Sequence, residues 1–134
     1  MVTIRHLSLN AKDPQRAASL LAQMSQGQAM PFKARGLEGA WICLWNPDKN
    51  ELIEFLPLGY KMVPSSTGAI FQQDTLCSEY PTVHVQLEVR TSYSELEAFA
   101  KANHCHSFFR EHFGGPLLEV WLEEKILIEF TNNH

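Results

Sequence analysis

The sequence contains no run of apolar residues approaching the roughly 18–20 needed for a membrane span, no cluster of basic residues and no excess of glycine or proline. With 7 Gly and 7 Pro in 134 residues, collagenous, low-complexity and disordered chains are excluded. Lys and Arg number 11 against 15 Asp and Glu, a formal net charge of -4. Without a basic patch the chain is not expected to bind nucleic acid. The N-terminal MVTIRHLSLNA lacks the basic region, apolar core and small-residue cleavage site of a signal peptide, so a cytoplasmic location with no membrane partner is expected. Cysteine is scarce. Cys43, Cys77 and Cys105 are odd in number and far apart, which fits reduced thiols in packing roles better than a disulfide framework.

What is present is one domain's worth of core-forming sequence, 45% hydrophobic and 19% charged. At this length about 68–70% of the unfolded chain's surface can be buried without metal or disulfide staples. Any metal is therefore expected to serve chemistry.

Residues 3–10 alternate as a strand, and Asp13-Pro14 supplies an N-cap and a proline at the first helical position. Ala17, Leu20, Leu21 and Met24 recur at helical spacing, with Gly27 placed to end the helix just past Gln26. Strands are expected over 28–33, Ala40 to Trp45 and Leu52 to Leu56. Residues 57–80 carry two prolines, two glycines and a Ser-Ser-Thr run, and read as a long connection. The order then repeats. Thr82 to Val89 alternates, Ser92-Tyr93-Ser94-Glu95 is a capping box opening a helix through Leu96, Phe99 and Ala100, and strands follow at Ser107 to His112, Leu117 to Leu122 and Ile126 to Thr131. The expected class is α+β: two tandem βαβββ modules, about 1–58 and 81–134, joined by a segment of about 59–80 within a single domain.

The repeat extends to individual residues. Leu52-Ile53-Glu54-Phe55 recurs as Leu127-Ile128-Glu129-Phe130 in the last strand of each half, and His6 and His84 stand in the first strand of each. Offsets of 84 − 6 = 78 and 129 − 54 = 75 agree to within a loop-sized difference, as an internal duplication requires. Glu54 lies between Leu52 and Leu56 on one strand face while Ile53 and Phe55 occupy the other, and Glu129 lies similarly between Leu127 and Thr131. A carboxylate in such surroundings is costly unless paired, protonated or bound to a cation.

Paired βαβββ units with His on each first strand and Glu on each last strand resemble the vicinal oxygen chelate superfamily, which includes glyoxalase I, methylmalonyl-CoA epimerase, extradiol dioxygenases and fosfomycin or bleomycin resistance proteins. Residues 46–54, NPDKNELIE, are similar to the Asp-Pro-x-Gly turn leading into an Ile-Glu strand in many members, with Lys49 standing where glycine is usual. The resemblance implies a metal-centred cup in which His6, Glu54, His84 and Glu129 ligate one divalent metal ion per chain. Two imidazoles and two carboxylates suit Zn, Ni, Co, Mn or Fe without choosing among them. It further implies a lyase or isomerase that acts on a small oxygenated substrate through a metal-stabilised enolate or enediolate, with Glu129 and Glu54 as the candidates for proton transfer. A homodimer is expected on the same basis. Glu54, where epimerase-like members usually have Gln, places the pattern nearer to glyoxalase I, although that enzyme's glutathione contacts find no match here. Two alternatives stay open: a non-catalytic protein that sequesters a small molecule, as bleomycin resistance proteins do, and an Fe(II) dioxygenase with a facial triad.

Other features compete. His104-Cys105-His106 followed by His112 looks metal-like, but alternation sends neighbouring side chains to opposite faces. Arg110 and Glu119 are expected to form an ion pair on the sheet, with substrate orientation and proton transfer as the other roles open to them. Trp41, Trp45, Trp121, Phe108, Phe109 and Phe113 serve either core or cup. Segment 57–80, with Tyr60, Phe71 and Tyr80, is a lid, a dimer arm or a simple linker.

Overall fold

A computed structural model describes residues 3–34, 37–76, 83–111 and 116–132. The chain divides into two compact units, Met1–Glu79 and Tyr80–His134.

In the first unit, strand β1 (His6–Ala11) leads into helix α1 (Pro14–Ser25), followed by β2 (Gln28–Ala34), β3 (Leu37–Asn46) and β4 (Glu51–Pro57). The sheet order is β1-β4-β3-β2, with β1 parallel to β4 and the other pairs antiparallel. Helix α1 starts as its sequence dictates: the Asp13 carboxylate accepts from the Arg16 N–H at 3.0 Å, and Pro14 opens the first turn. It ends before Gly27 as expected, though not by means of that glycine. Gln26 is the residue in the left-handed conformation (φ 59°). Gly27 is required instead by close packing, because a Cβ there would lie 2.8 Å from Cys43 Sγ and 2.9 Å from Trp45 Nε1. The apolar stripe of α1, including Ala17, Leu21 and Met24, is buried, as are Leu9, Cys43, Ile53 and Phe55, and α1 packs on the sheet. Complete burial of Phe55 alone contributes about 1.5–3 kcal/mol. Burial pushes the Cys43 thiol up to about 11, against a smaller lowering by the Ser25 hydroxyl, so this cysteine is an inert packing residue.

Residues 57–80 are not a structureless connection. They contain an antiparallel hairpin, β5 (Tyr60–Val63) and β6 (Ile70–Gln73). Tyr60 and Phe71 from the hairpin, with Phe32, pack against buried Leu37, Ala40 and Leu56, and the Asp74 N–H donates to the Gly59 carbonyl at 2.7 Å. Strand β3 begins at Leu37 rather than Ala40 because Leu37 and Ala40 share this small core.

The second unit repeats the plan: β7 (Val85–Glu88), α2 (Tyr93–Ala102), β8 (His106–Arg110), β9 (Leu117–Leu122) and β10 (Ile126–Thr131), ordered β7-β10-β9-β8. The Ser92/Glu95 capping box forms reciprocally. His104 takes the left-handed conformation (φ 58°) just past the helix, which buries Cys105 and leaves His104 and His106 exposed on either side of it. The three therefore do not converge. Leu96, Ala100, Leu118, Val120, Ile128 and Phe130 are buried, and α2 packs on β8 and β9. Between β9 and β10, Glu123 (φ 54°) and Glu124 (φ 60°) form a tight turn closed by the Lys125 N–H to the Leu122 carbonyl at 3.0 Å. Asn-Gly is the usual choice for such a turn. Cys77, Tyr80, Thr82, His112 and Phe113 lie outside the described residues.

Candidate functional site

Each unit places a glutamate at a matching register position on its last strand, with a histidine two residues before the residue opposite it. In the first, the parallel ladder sets Ser8 opposite Glu54 and His6 two residues earlier, opposite Leu52. Paired residues on adjacent strands share a face, so His6, Ser8 and Glu54 lie on one side of the sheet while Ile53 and Phe55 fill the other. Glu54 Oε2 accepts from Ser8 Oγ at 3.0 Å, and its Oε1 stands 4.0 Å from His6 Nε2. The Glu54 side chain is mostly buried and that of His6 mostly exposed. A hydroxyl thus relieves part of the carboxylate's desolvation. Ser8 was absent from the set read in the sequence; its place two residues after His6 was the available signal.

In the second unit, Glu129 is opposite Gln86 on β7 and Glu119 on β9. His84 stands two residues before Gln86, just ahead of β7, which matches His6 relative to Ser8. The correspondence Glu54/Glu129 and Ser8/Gln86 therefore holds in strand register, and that of His6 and His84 in sequence spacing. Glu129 is buried, 7% exposed, the one buried charged residue among the described residues. Its Oε1 accepts from Arg110 Nη2 at 2.9 Å, and Arg110 Nη1 lies 3.6 Å from Glu119 Oε2. The ion pair expected between Arg110 and Glu119 is present, but the closer partner is Glu129. Arg110 offsets one of the two carboxylates, and its Nε is buried without a hydrogen-bond partner. Within either unit, among the described residues, no three His, Cys, Asp or Glu side chains gather closely enough to hold a metal ion.

The same face of the second sheet carries an open concavity of about 560 Å³ lined by His106, Phe108, Glu119, Trp121 and Glu124. Trp121 Nε1 donates to Glu119 Oε1 at 3.2 Å, which fixes the indole, and Phe108 is 56% exposed. The remaining aromatics divide by role. Trp45 donates to Ser25 Oγ at 2.8 Å, tying β3 to α1. Phe109 meets Tyr93 edge to face at 5.2 Å.

No family model matches the chain, and no curated protein matches it. Solved structures do. The fosfomycin resistance protein FosX from Listeria monocytogenes, in complex with Mn(II) and sulfate ion, superposes with a TM-score of 0.62 at 12% identity, covering 100% of this chain and 92% of that one. FosX from Mesorhizobium loti gives 0.60 at 9% identity, over 97% and 91% of the two chains. An integron cassette protein of V. cholerae gives 0.65 at 13% identity, over 100% and 97%. These proteins belong to the vicinal oxygen chelate superfamily. The chain has the vicinal oxygen chelate fold. Within this fold the two βαβββ units and their equivalent His and Glu positions are the features legible from the repeat, whereas the Arg110 clamp and the aromatic concavity lie in the second unit, where the residue opposite the glutamate on the neighbouring strand is Glu119 rather than the Ile42 of the first.

Proposed function

We propose that the chain is a metal-dependent enzyme of the vicinal oxygen chelate type, in which His6, Glu54, His84 and Glu129 hold one divalent cation per chain and a small oxygenated substrate undergoes proton transfer beside a carbonyl. The observation that carries the reading is the register equivalence of Glu54, opposite Ser8, and Glu129, opposite Gln86, with a histidine two residues before each of those partners. Two imidazoles and two carboxylates are chemically suited to a divalent first-row ion, and a FosX structure similar in fold contains Mn(II).

A cation held by His6, Glu54, His84 and Glu129 would supply Lewis acidity towards substrate oxygen and would stabilise negative charge developing there. The chain's own groups do the rest. Arg110 holds Glu129 through Oε1, which orients the carboxyl and leaves Oε2 as ligand or proton acceptor. Ser8 holds Glu54 through Oε2 and turns Oε1 towards His6. Either glutamate then takes a proton at its remaining oxygen. A homodimer and a cytoplasmic location are part of the same reading.

A second reading has one observation in its favour: Glu129 is already paired with Arg110 beside an aromatic concavity, which suits a protein that sequesters a small molecule without chemistry.

The test is elemental analysis of untagged, chelator-free protein, comparing wild type with the His84→Ala, Glu129→Ala double variant. About one divalent ion per chain, lost in the variant, is expected for a four-donor site. No metal after reconstitution overturns the metal reading. Glu129→Gln then separates catalysis from sequestration: an enzyme loses exchange of solvent protons into its substrate, whereas a sequestering protein keeps its ligand affinity.

A further inference from the structure

From the concavity of the second unit we infer a binding site for a small organic cation, a protonated amine carried on an aromatic or similarly flat apolar group. The inference deepens the second reading above, because the concavity lies on the sheet face that carries Glu129, the ladder partner of Glu119; it does not depend on a metal, since none of the lining residues is a proposed ligand.

Three observations converge. The first is shape. An open concavity of about 560 Å³ is in the size range of sites that take small molecules, about 300–1,000 Å³. The second is lining. Phe108 leaves 56% of its surface exposed on the face it shares with Glu119, and Trp121 is held in place by the bond from Nε1 to Glu119. An aromatic side chain left open beside a fixed indole offers flat apolar surface and two π faces, the features that attract cations. The third is charge. Glu119 and Glu124 both line the concavity, and Arg110, the cation at hand, lies closer to Glu129 than to Glu119, at 2.9 Å against 3.6 Å. Glu124 is exposed on the turn between β9 and β10. The concavity is thus acidic, with a carboxylate at the turn placed to meet an ammonium group.

The duplication supplies an internal control. The ladders align His106, Phe108, Trp121 and Glu119 of the second unit with Gln28, Met30, Leu44 and Ile42 of the first. Ile42 is 7% exposed and belongs to the core. The same fold is therefore built with an ordinary isoleucine and methionine at these places, so the glutamate, tryptophan and phenylalanine are not demanded by folding of the βαβββ unit.

The experiment follows the indole N–H resonance of Trp121 in chelator-treated full-length protein, identified by its absence from Trp121→Phe. The probes are 2-phenylethylammonium, the neutral 2-phenylethanol and the anionic 3-phenylpropionate. Expected is a saturable shift with the ammonium, at least about tenfold tighter than with either other probe. Phe108→Ala weakens it about tenfold, and Glu124→Gln, a change on an exposed turn that leaves the core intact, about threefold. Equal binding of the three probes, tighter binding of the carboxylate, or wild-type affinity in both variants overturns the proposal. Because no metal is present, this outcome is independent of the elemental analysis.

Discussion

Replacing Arg110 with methionine keeps most of the side chain's apolar volume and removes its charge, which isolates what the guanidinium does for two carboxylates. Glu129 is 7% exposed and directly opposite Glu119 in the β9–β10 ladder, so the two acids are cross-strand neighbours of like charge. Arg110 Nη2 is 2.9 Å from one and Nη1 3.6 Å from the other. At an effective dielectric constant of about 20, each contact carries a gross attraction of about 5 kcal/mol, most of it offset by desolvation. Breaking a fully buried pair by removing one partner costs about 3–5 kcal/mol. The Arg110 side chain is 27% exposed, so solvent screening reduces the expected loss to about 2–4 kcal/mol. With a urea slope of about 1–3 kcal/mol/M, the unfolding midpoint followed by circular dichroism falls by about 1–2 M. Adding Glu119→Gln and Glu129→Gln to Arg110→Met should restore at least half of the loss, because the penalty lies in the abandoned charges. A midpoint for Arg110→Met within about 0.3 M of wild type, or no recovery on removing both carboxylates, would refute the reasoning.

Two further outcomes test the frame around the site. Gly27→Ala forces a Cβ to within 2.8 Å of Cys43 Sγ and 2.9 Å of Trp45 Nε1, so a loss of about 1–3 kcal/mol is expected, seen as a lower melting midpoint with an altered near-ultraviolet tryptophan signal; a wild-type melting curve counts against the close packing. In the α2 capping box, the Ser92 hydroxyl and then the Ser92 N–H hold the Glu95 carboxyl below the ordinary glutamate range. Its contribution is therefore complete above the unfolded-state value and is lost as pH falls through the lower folded value. Comparing urea midpoints of wild type and Glu95→Gln from about pH 6 down to about pH 2 should show the wild-type advantage shrinking with acid, and a constant difference would contradict the assignment.

The elements that proved legible in the sequence are those whose signals are local. The helix starts at Asp13-Pro14 and at Ser92 were readable because a cap is a contact over three residues. The duplication was readable because the Leu-Ile-Glu-Phe strand must keep a carboxylate on one face and core residues on the other in both units, and a two-residue period preserves that order in the letters. The β5–β6 hairpin was not readable. Its strands are four residues each, with Lys61, Met62, Ile70, Gln72 and Gln73 all exposed, so no alternation marks them, and it is held by Tyr60 and Phe71 on a satellite core that forms only after folding. The Arg110–Glu129 contact was hidden for a related reason. Arg110 pairs in register with Leu117 rather than Glu119, and it reaches Glu129 diagonally across β9. Only the length of the arginine side chain makes that contact, and register alone does not reveal it. The Glu123-Glu124 turn falls at the expected break between the strands at Leu117 to Leu122 and Ile126 to Thr131, although local propensity favours Asn-Gly there.

The sheet edges have a consequence for life at high concentration. Strand β2 ends its sheet, carries Pro31 at its middle, and slips register between Phe32 and Ala34. Proline offers no N–H to an incoming strand and the slip twists the row of donors and acceptors, so β2 is a poor template for another chain. Strand β8 ends the second sheet with an unbroken register from His106 to Arg110, no proline, and Phe108 and Phe109 both exposed. Of these two edges, β8 is thus the less protected against strand-to-strand association.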